Sequence, residues 1–386
     1  MDGGDSVNLR SEYYTITLKT VGPVYVGSRN RLSKKEYIYD IRNKKVMIPN
    51  FQKMYLDIKK SGLEKEFQKY LLGDDEKVST LHKWLLEHRF SEKDYSKWIE
   101  YELDCGDFIG KVKALEIRTF MKDGYGKAYI PGSSLKGALR TCMLTANILK
   151  HEKYEKIALE VEQSAKVGGY RNTFLRKESE KLETECYHAL GKTDAKTDMV
   201  NDIMSGIIVS DSNPIDNVDL VLCQKVEMHV NGNEKRLNLL RECVKPGTEI
   251  TFELEITREA KKAGIDKDVI MEAIKLTGDI YYDMFISKFP KMKELQQNTI
   301  WLGGGSGFHT KTVINALFSD NDKKAVAVTN NIFYNTLGKK YKEHKHDRDK
   351  MQGVAPHILK VTKYCGRTYQ MGSCRVKIEE NNFKPL

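Results

Sequence analysis

The chain is 386 residues long, enough for about two domains of ordinary size, each with its own core. Its formal charge of +10, with 31% of residues charged, favours a polyanionic partner. No run approaches the roughly 20 apolar residues that a membrane span needs, and the acidic opening Met1-Asp2-Gly3-Gly4-Asp5 lacks the apolar core of a secretion signal, so a soluble, cytoplasmic protein is expected.

From Tyr14 to Thr20 the side chains alternate, Tyr14, Ile16 and Leu18 against Thr15, Thr17 and Lys19, which predicts a half-buried strand. Gly22-Pro23 interrupts it, Val24-Tyr25-Val26 resumes it, and Gly27-Ser28 is expected to end it before the polar, basic run Arg29 to Lys35. Residues Phe51 to Glu102 carry helical spacing and read as a helical insertion, placed at about 50–115.

The stretch Ile130-Pro131-Gly132-Ser133-Ser134-Leu135-Lys136-Gly137-Ala138-Leu139-Arg140 predicts a turn and then a helix capped by Ser133 or Ser134, with Leu135, Leu139, Cys142 and Ala146 on its buried face. Free N–H groups at a helix start attract phosphate, and Lys136 and Arg140 share a second stripe. An ordinary capped helix with two solvated cations explains the same residues. Polar helix follows to about Ala189, and Gly206 to Ser212 reads as a strand ending in polar turn residues.

The second half repeats this grammar. Glu249 to Thr257 alternates cleanly, and Asp266 to Phe289 has a helical apolar stripe. Then comes Trp301-Leu302-Gly303-Gly304-Gly305-Ser306-Gly307-Phe308-His309-Thr310-Lys311. Four glycines in five positions predict backbone that approaches something closely, either as an anion cradle or as a tight turn. Phe308 stands where a nucleotide-triphosphate loop needs its lysine, which argues against an ATPase. Lys339 to Arg348 is a basic run expected at the surface, and Ile358 to Thr362 and Ser373 to Ile378 read as closing strands. The simplest architecture is α+β, two domains with antiparallel sheets and helices on one face, divided at about 215/216: residues 8–215 with the insertion, and 216–386 with the glycine loop.

Seven cysteines without a Cys-x-x-Cys pair, and histidines without ligand spacing, His344 and His346 included, lead to the expectation of no metal and no cofactor.

In their order along the chain, Val21 to Ser28, Ile130 to Arg140, Val209 to Ser212 and Gly303 to Gly307 resemble the motifs of the RAMP superfamily of CRISPR effector proteins. Within it the chain is similar to the subunits that cap the 3′ end of the guide RNA (crRNA) in type III-A Csm complexes. The resemblance implies two ferredoxin-like (RRM-like) domains, contacts to crRNA and target RNA, docking on the filament-forming RAMP subunits, and a part in crRNA 3′-end maturation that involves a recruited nuclease. It points to RNA contact by Ser133, Ser134, Lys136 and Arg140, and by Gly303, Gly304, Gly305, Ser306, Gly307, His309 and Lys311. The reading is a non-catalytic RNA-binding subunit; the alternative is a ribonuclease acting through His309, whose imidazole titrates near neutrality.

Overall fold

The computed structural model describes residues 10–40, 42–73, 80–105, 107, 116–292 and 295–381. With strands numbered in chain order, a first sheet has the spatial order β11 (Thr299–Trp301), β14 (Ser373–Glu380), β1 (Glu12–Thr20), β10 (Glu249–Ile256) and β7 (Ile207–Val209), antiparallel throughout. Central β1 sets Ile16 opposite Phe252 on one side and Ile378 on the other. The predicted alternation holds: Tyr14, Ile16 and Leu18 are buried, as are Ile250, Phe252, Leu254 and Ile256. Helices Gly132–Lys150 and Lys267–Met284 cover that inner face through Leu135, Leu139, Ile270 and Ile274, which share its core.

The two strand–helix–strand units read from the sequence are β1–helix–β7 and β10–helix–β14. Their strands interleave as β14-β1-β10-β7, the order of one split-βαβ, ferredoxin-like sheet. Residues far apart in sequence therefore pair directly, and the expected boundary near 215 falls between β7 and β8 (Leu220–His229).

A second sheet runs β2 (Gly27–Leu32), β6 (Ile117–Phe120), β9 (Glu234–Val244), β8, β5 (Ile99–Asp104), β4 (Lys45–Pro49) and β3 (Ile38–Asp40). β12 (Ile358–Tyr364) also pairs with β8, and with β13 (Arg367–Gln370). It too has strands from both sides of 215. It is mixed rather than purely antiparallel, because β5–β8 and β6–β9 run parallel. Most of it escapes sequence reading. The polar run expected to follow a strand end is itself β2, an edge strand whose Ser28 to Arg31 side chains need no apolar alternation. The β8–β9 hairpin turns at Asn231-Gly232, with Gly232 at φ +82 and His229 N donating to Asn233 O at 2.8 Å.

Residues of both sheets belong to one core, which includes Leu18 and Phe252 from the first and Phe120, Val221 and Leu240 from the second. The insertion expected at 50–115 forms helices Phe51–Lys60, Glu64–Leu72 and Leu81–Glu87, closed by a separate core of Phe67, Tyr70, Trp84 and Trp98, and then gives β5. Its residues 74–79, 106 and 108–115 lie outside the described residues. Among the described residues no helix is long and apolar enough to cross a membrane.

Ile16→Ala removes a fully buried side chain from the central strand and is expected to cost about 2–5 kcal/mol, whereas Thr17→Ala on the opposite face is expected to cost under about 1 kcal/mol. Denaturant unfolding of the two variants measures the difference.

Candidate nucleic-acid interface

The sequence element Ile130 to Arg140 docks on the end of β7. Ile130 N donates to Ser212 Oγ at 2.9 Å and Ser212 N to Ile130 O at 3.0 Å, joining two motifs that lie far apart in the chain. A Cβ on Gly132 would stand 2.3 Å from the carbonyl oxygens of Val209 and Ser210, so this position needs glycine. The helix begins at Gly132, with Pro131 rather than Ser133 or Ser134 at its cap and no side-chain cap bond. Asp211 supplies the missing acceptor: Gly132 N donates to its Oδ1 at 2.8 Å, placing a carboxylate at the helix start.

Ser133 is exposed, while Ser134 and Lys136 are half-buried; burial holds the Lys136 ammonium below its usual pKa. Arg140 is engaged on every side. Its Nη1 and Nη2 donate to Asp202 at 2.7 Å and Glu183 at 2.8 Å, its guanidinium lies 4.0 Å from the Tyr187 ring centre, and Tyr187 Oη donates to its carbonyl.

In the glycine loop the close approach is to protein. Gly303, Gly305 and Gly307 have φ of +70, +97 and +108. A Cβ on Gly303 would stand 2.0 Å from Tyr25 O, and one on Gly305 would stand 2.4 Å from Arg241 Nη1. Gly304 N donates to Tyr25 O at 2.7 Å, and buried Ser306 donates to Gly303 O at 3.1 Å. His309 is buried against Phe285, its Nε2 donating to Ala355 O at 2.7 Å and its Nδ1 without a partner. Burial pushes its pKa down to about 4, so at neutral pH it is an uncharged imidazole. Lys311 is exposed, and it and Arg140 both line a cavity of about 310 Å³, to which the two sequence elements therefore both contribute.

Lys311, Gly305 and Gly307 also border a second cavity of about 510 Å³, and its chemistry was not legible in sequence. Lys225, Arg241, Lys311, Lys340 and Lys360 line it against one carboxylate, Glu227, which Lys225 approaches at 3.2 Å. Desolvation depresses the Arg241 and Lys360 pKa values, and desolvation together with the charge of Arg241 depresses that of Lys311. Arg241 is only 8% exposed; its Nη1 reaches Met371 Sδ at 3.5 Å, and its Nε has no partner. Burying such a charge without a carboxylate is costly, and an anion in the cavity would offset the cost.

His346 on the cavity wall belongs to a second cluster. Its Nδ1 lies 3.0 Å from Asp349 Oδ2, His357 Nδ1 contacts Asp349 Oδ1, and the three ligand atoms lie within 4.8 Å of one another, a set that could hold a metal ion or relay a proton. Burial opposes ionisation of Asp349, but the hydrogen bonds from His346 and His357 outweigh it and hold the carboxyl below its usual pKa. The sequence reading weighed His344 beside His346; the fold instead brings in His357 from the start of the β12 region, a partner that spacing does not announce. The basic run Lys339 to Arg348 is largely exposed, as expected, and is anchored by buried His346.

Residues 17–308 match the RAMP superfamily. Over 388 residues the chain is 28% identical to the CRISPR system Cms protein Csm5 of Mycobacterium tuberculosis, covering 95% of this chain and 97% of that protein. Over 318 residues it is 29% identical to Csm5 of Streptococcus thermophilus, covering 79% and 82%. In fold it is similar to a chain of a Csm–crRNA–target RNA ternary complex of a type III-A CRISPR–Cas system, with a TM-score of 0.67 at 20% identity and coverage of 94% and 100%. It is likewise similar to Csm5 of T. onnurineus, with a TM-score of 0.57 at 21% identity and coverage of 79% and 94%.

A histidine held neutral by burial contributes stability that is complete above its unfolded pKa of 6.5 and is lost as pH falls toward about 4. Relative to His309→Gln, which keeps a donor for Ala355 O, the wild type should therefore lose up to about 3 kcal/mol between pH 6.5 and 4. Denaturant midpoints at several pH values across that window read the difference.

Proposed function

Since the chain belongs to the RAMP superfamily, we propose that it is an RNA-binding, non-catalytic subunit of a type III-A CRISPR ribonucleoprotein that caps the 3′ end of the crRNA. The observation that carries this reading is the cavity beside the glycine loop, where five cations face one carboxylate. Such a site recognises phosphate, and phosphate contacts hold an RNA backbone without regard to its sequence. The relatives named Csm5, and the similarity in fold to a chain from a complex with crRNA and target RNA, support the same assignment.

In this reading the subunit docks on the filament-forming RAMP subunits, contacts crRNA and the incoming target, and presents the crRNA 3′ end to a separate nuclease for trimming. Its Gly132 to Arg140 helix start and its Gly303 to Lys311 loop lie along the bound strand. Lys136 and Lys311 are the cations available there, while Arg140 fixes the helix to Asp202 and Glu183.

The test is binding of single-stranded RNA by the purified protein across a salt series. Affinity should fall with a log–log slope of about −0.7 per phosphate held, and Lys311→Gln should weaken binding several-fold without cleavage of the RNA in either protein. Absent or salt-independent binding would contradict the proposal. Cleavage that is lost in His309→Ala would establish the ribonuclease instead.

A further inference from the structure

One row of the second sheet is left electrically open. Arg31 on β2 stands opposite Arg118 on β6, and Arg118 stands opposite Arg241 on β9, so three arginines follow one another across neighbouring strands on the same face. Like charges in this position repel. Among the described residues only Arg31 of the three has an acidic partner, Glu116 at 3.3 Å, whereas Arg118 and Arg241 each bury an Nε without any partner. Beyond Arg241 lie β8 and then β12, which bring Lys225 and Lys360 to the cavity beside Gly305. From β2 to β9 the arginine row crosses two strand spacings, about 10 Å at ~4.8 Å each; on β8 the residue opposite Arg241 is Cys223, and Lys360 on β12 reaches the cavity from farther along the sheet, opposite Glu227.

A single small anion would neutralise one end of such a row. A polyanion with regularly repeated charges matches its whole length. Half-buried Phe308 in the cavity wall, backed by buried Phe333 at 4.9 Å between ring centres, adds an apolar ring on which a nucleobase can stack. The outer face of the first sheet is mixed in charge: Glu249, Glu253 and Glu255 along β10 stand beside Lys19, Arg375 and Lys377, and Lys19 pairs with Glu249 at 3.4 Å.

We propose that a single RNA strand crosses the second sheet along Arg31, Arg118 and Arg241 and enters the cavity at Lys360, with one base against Phe308. This rests on the RNA-binding reading and names the path by which it operates. Arg118 and Lys360 mark its middle and its end, and each holds a phosphate.

The experiment compares wild type, Arg118→Gln, Lys360→Gln and the double variant, each confirmed as folded by circular dichroism and thermal melting, for binding of an unstructured oligoribonucleotide across a salt series. Each single change should weaken binding roughly tenfold, and the double variant should show a salt slope shallower by about 1.4. Lys19→Gln and Lys377→Gln, on the outer face of the first sheet, should leave both quantities unchanged. If the wild type itself fails to bind RNA, the functional reading falls and the path with it. If the wild type binds and the double variant keeps its affinity and slope, the path alone is overturned. Unchanged RNA binding with lost assembly onto neighbouring subunits would make the row a protein interface, and adenosine monophosphate competing as well as RNA, mole for mole, would make the cavity a free-nucleotide site; either result overturns the proposal.

Discussion

A missing Cβ at two positions fixes how the two sheets meet. Gly303 lies on the carbonyl of Tyr25 and Gly305 lies on the guanidinium of Arg241, at separations that leave no room for a side chain. The loop that leaves β11 in the first sheet can therefore settle against the segment that leads into β2 and against β9, both tied to the second sheet. Gly372 repeats the device from the other side, at φ +81 and with its Cβ position 2.3 Å from Leu302 O. A bulky residue at any of these points would separate the loop from the surface it closes, and with it Lys311 from Arg241.

That closure has an electrostatic consequence. Arg241 is covered by the loop without gaining a carboxylate, and half-buried Lys360 and exposed Lys311 border the same cavity. Burying a charge without a counter-ion is costly, and the Tyr25 ring, 5.1 Å from the Arg241 guanidinium, offsets only part of that cost. Arg140 shows the contrasting case within the same molecule: two carboxylates and an aromatic ring satisfy it, and it acts as a brace between helices. Residue type alone does not separate the two arginines; their partners do.

Legibility in sequence followed the strength of the local pattern. β1 and β10 alternate apolar and polar residues because one face of each is buried, and both were read almost to the residue. The glycine cluster announced a close approach correctly in kind, although the neighbour is the chain itself. The second sheet was largely invisible: β2 is polar because it is an edge, and β9 is polar for its first half and apolar only where it enters the core. Arg241 sits in β9, Lys225 in β8 and Lys360 in β12; the last was read as a strand, but the pairing of β8 with both β9 and β12 that brings the three to one cavity was not. Nor could strand order, since the repeated strand–helix–strand grammar is compatible with two sheets or with one interleaved sheet, and only the pairing of β1 with both β10 and β14 distinguishes them.

RNA binding of this kind is decided by where the strand touches the protein. Ultraviolet crosslinking of the assembled ribonucleoprotein, followed by peptide mapping, reads this directly. Crosslinks should concentrate in peptides containing Phe308 to Lys311 and Lys360, beside the glycine loop. Crosslinks confined to β1, β10 and β14, on the outer face of the first sheet, would contradict it.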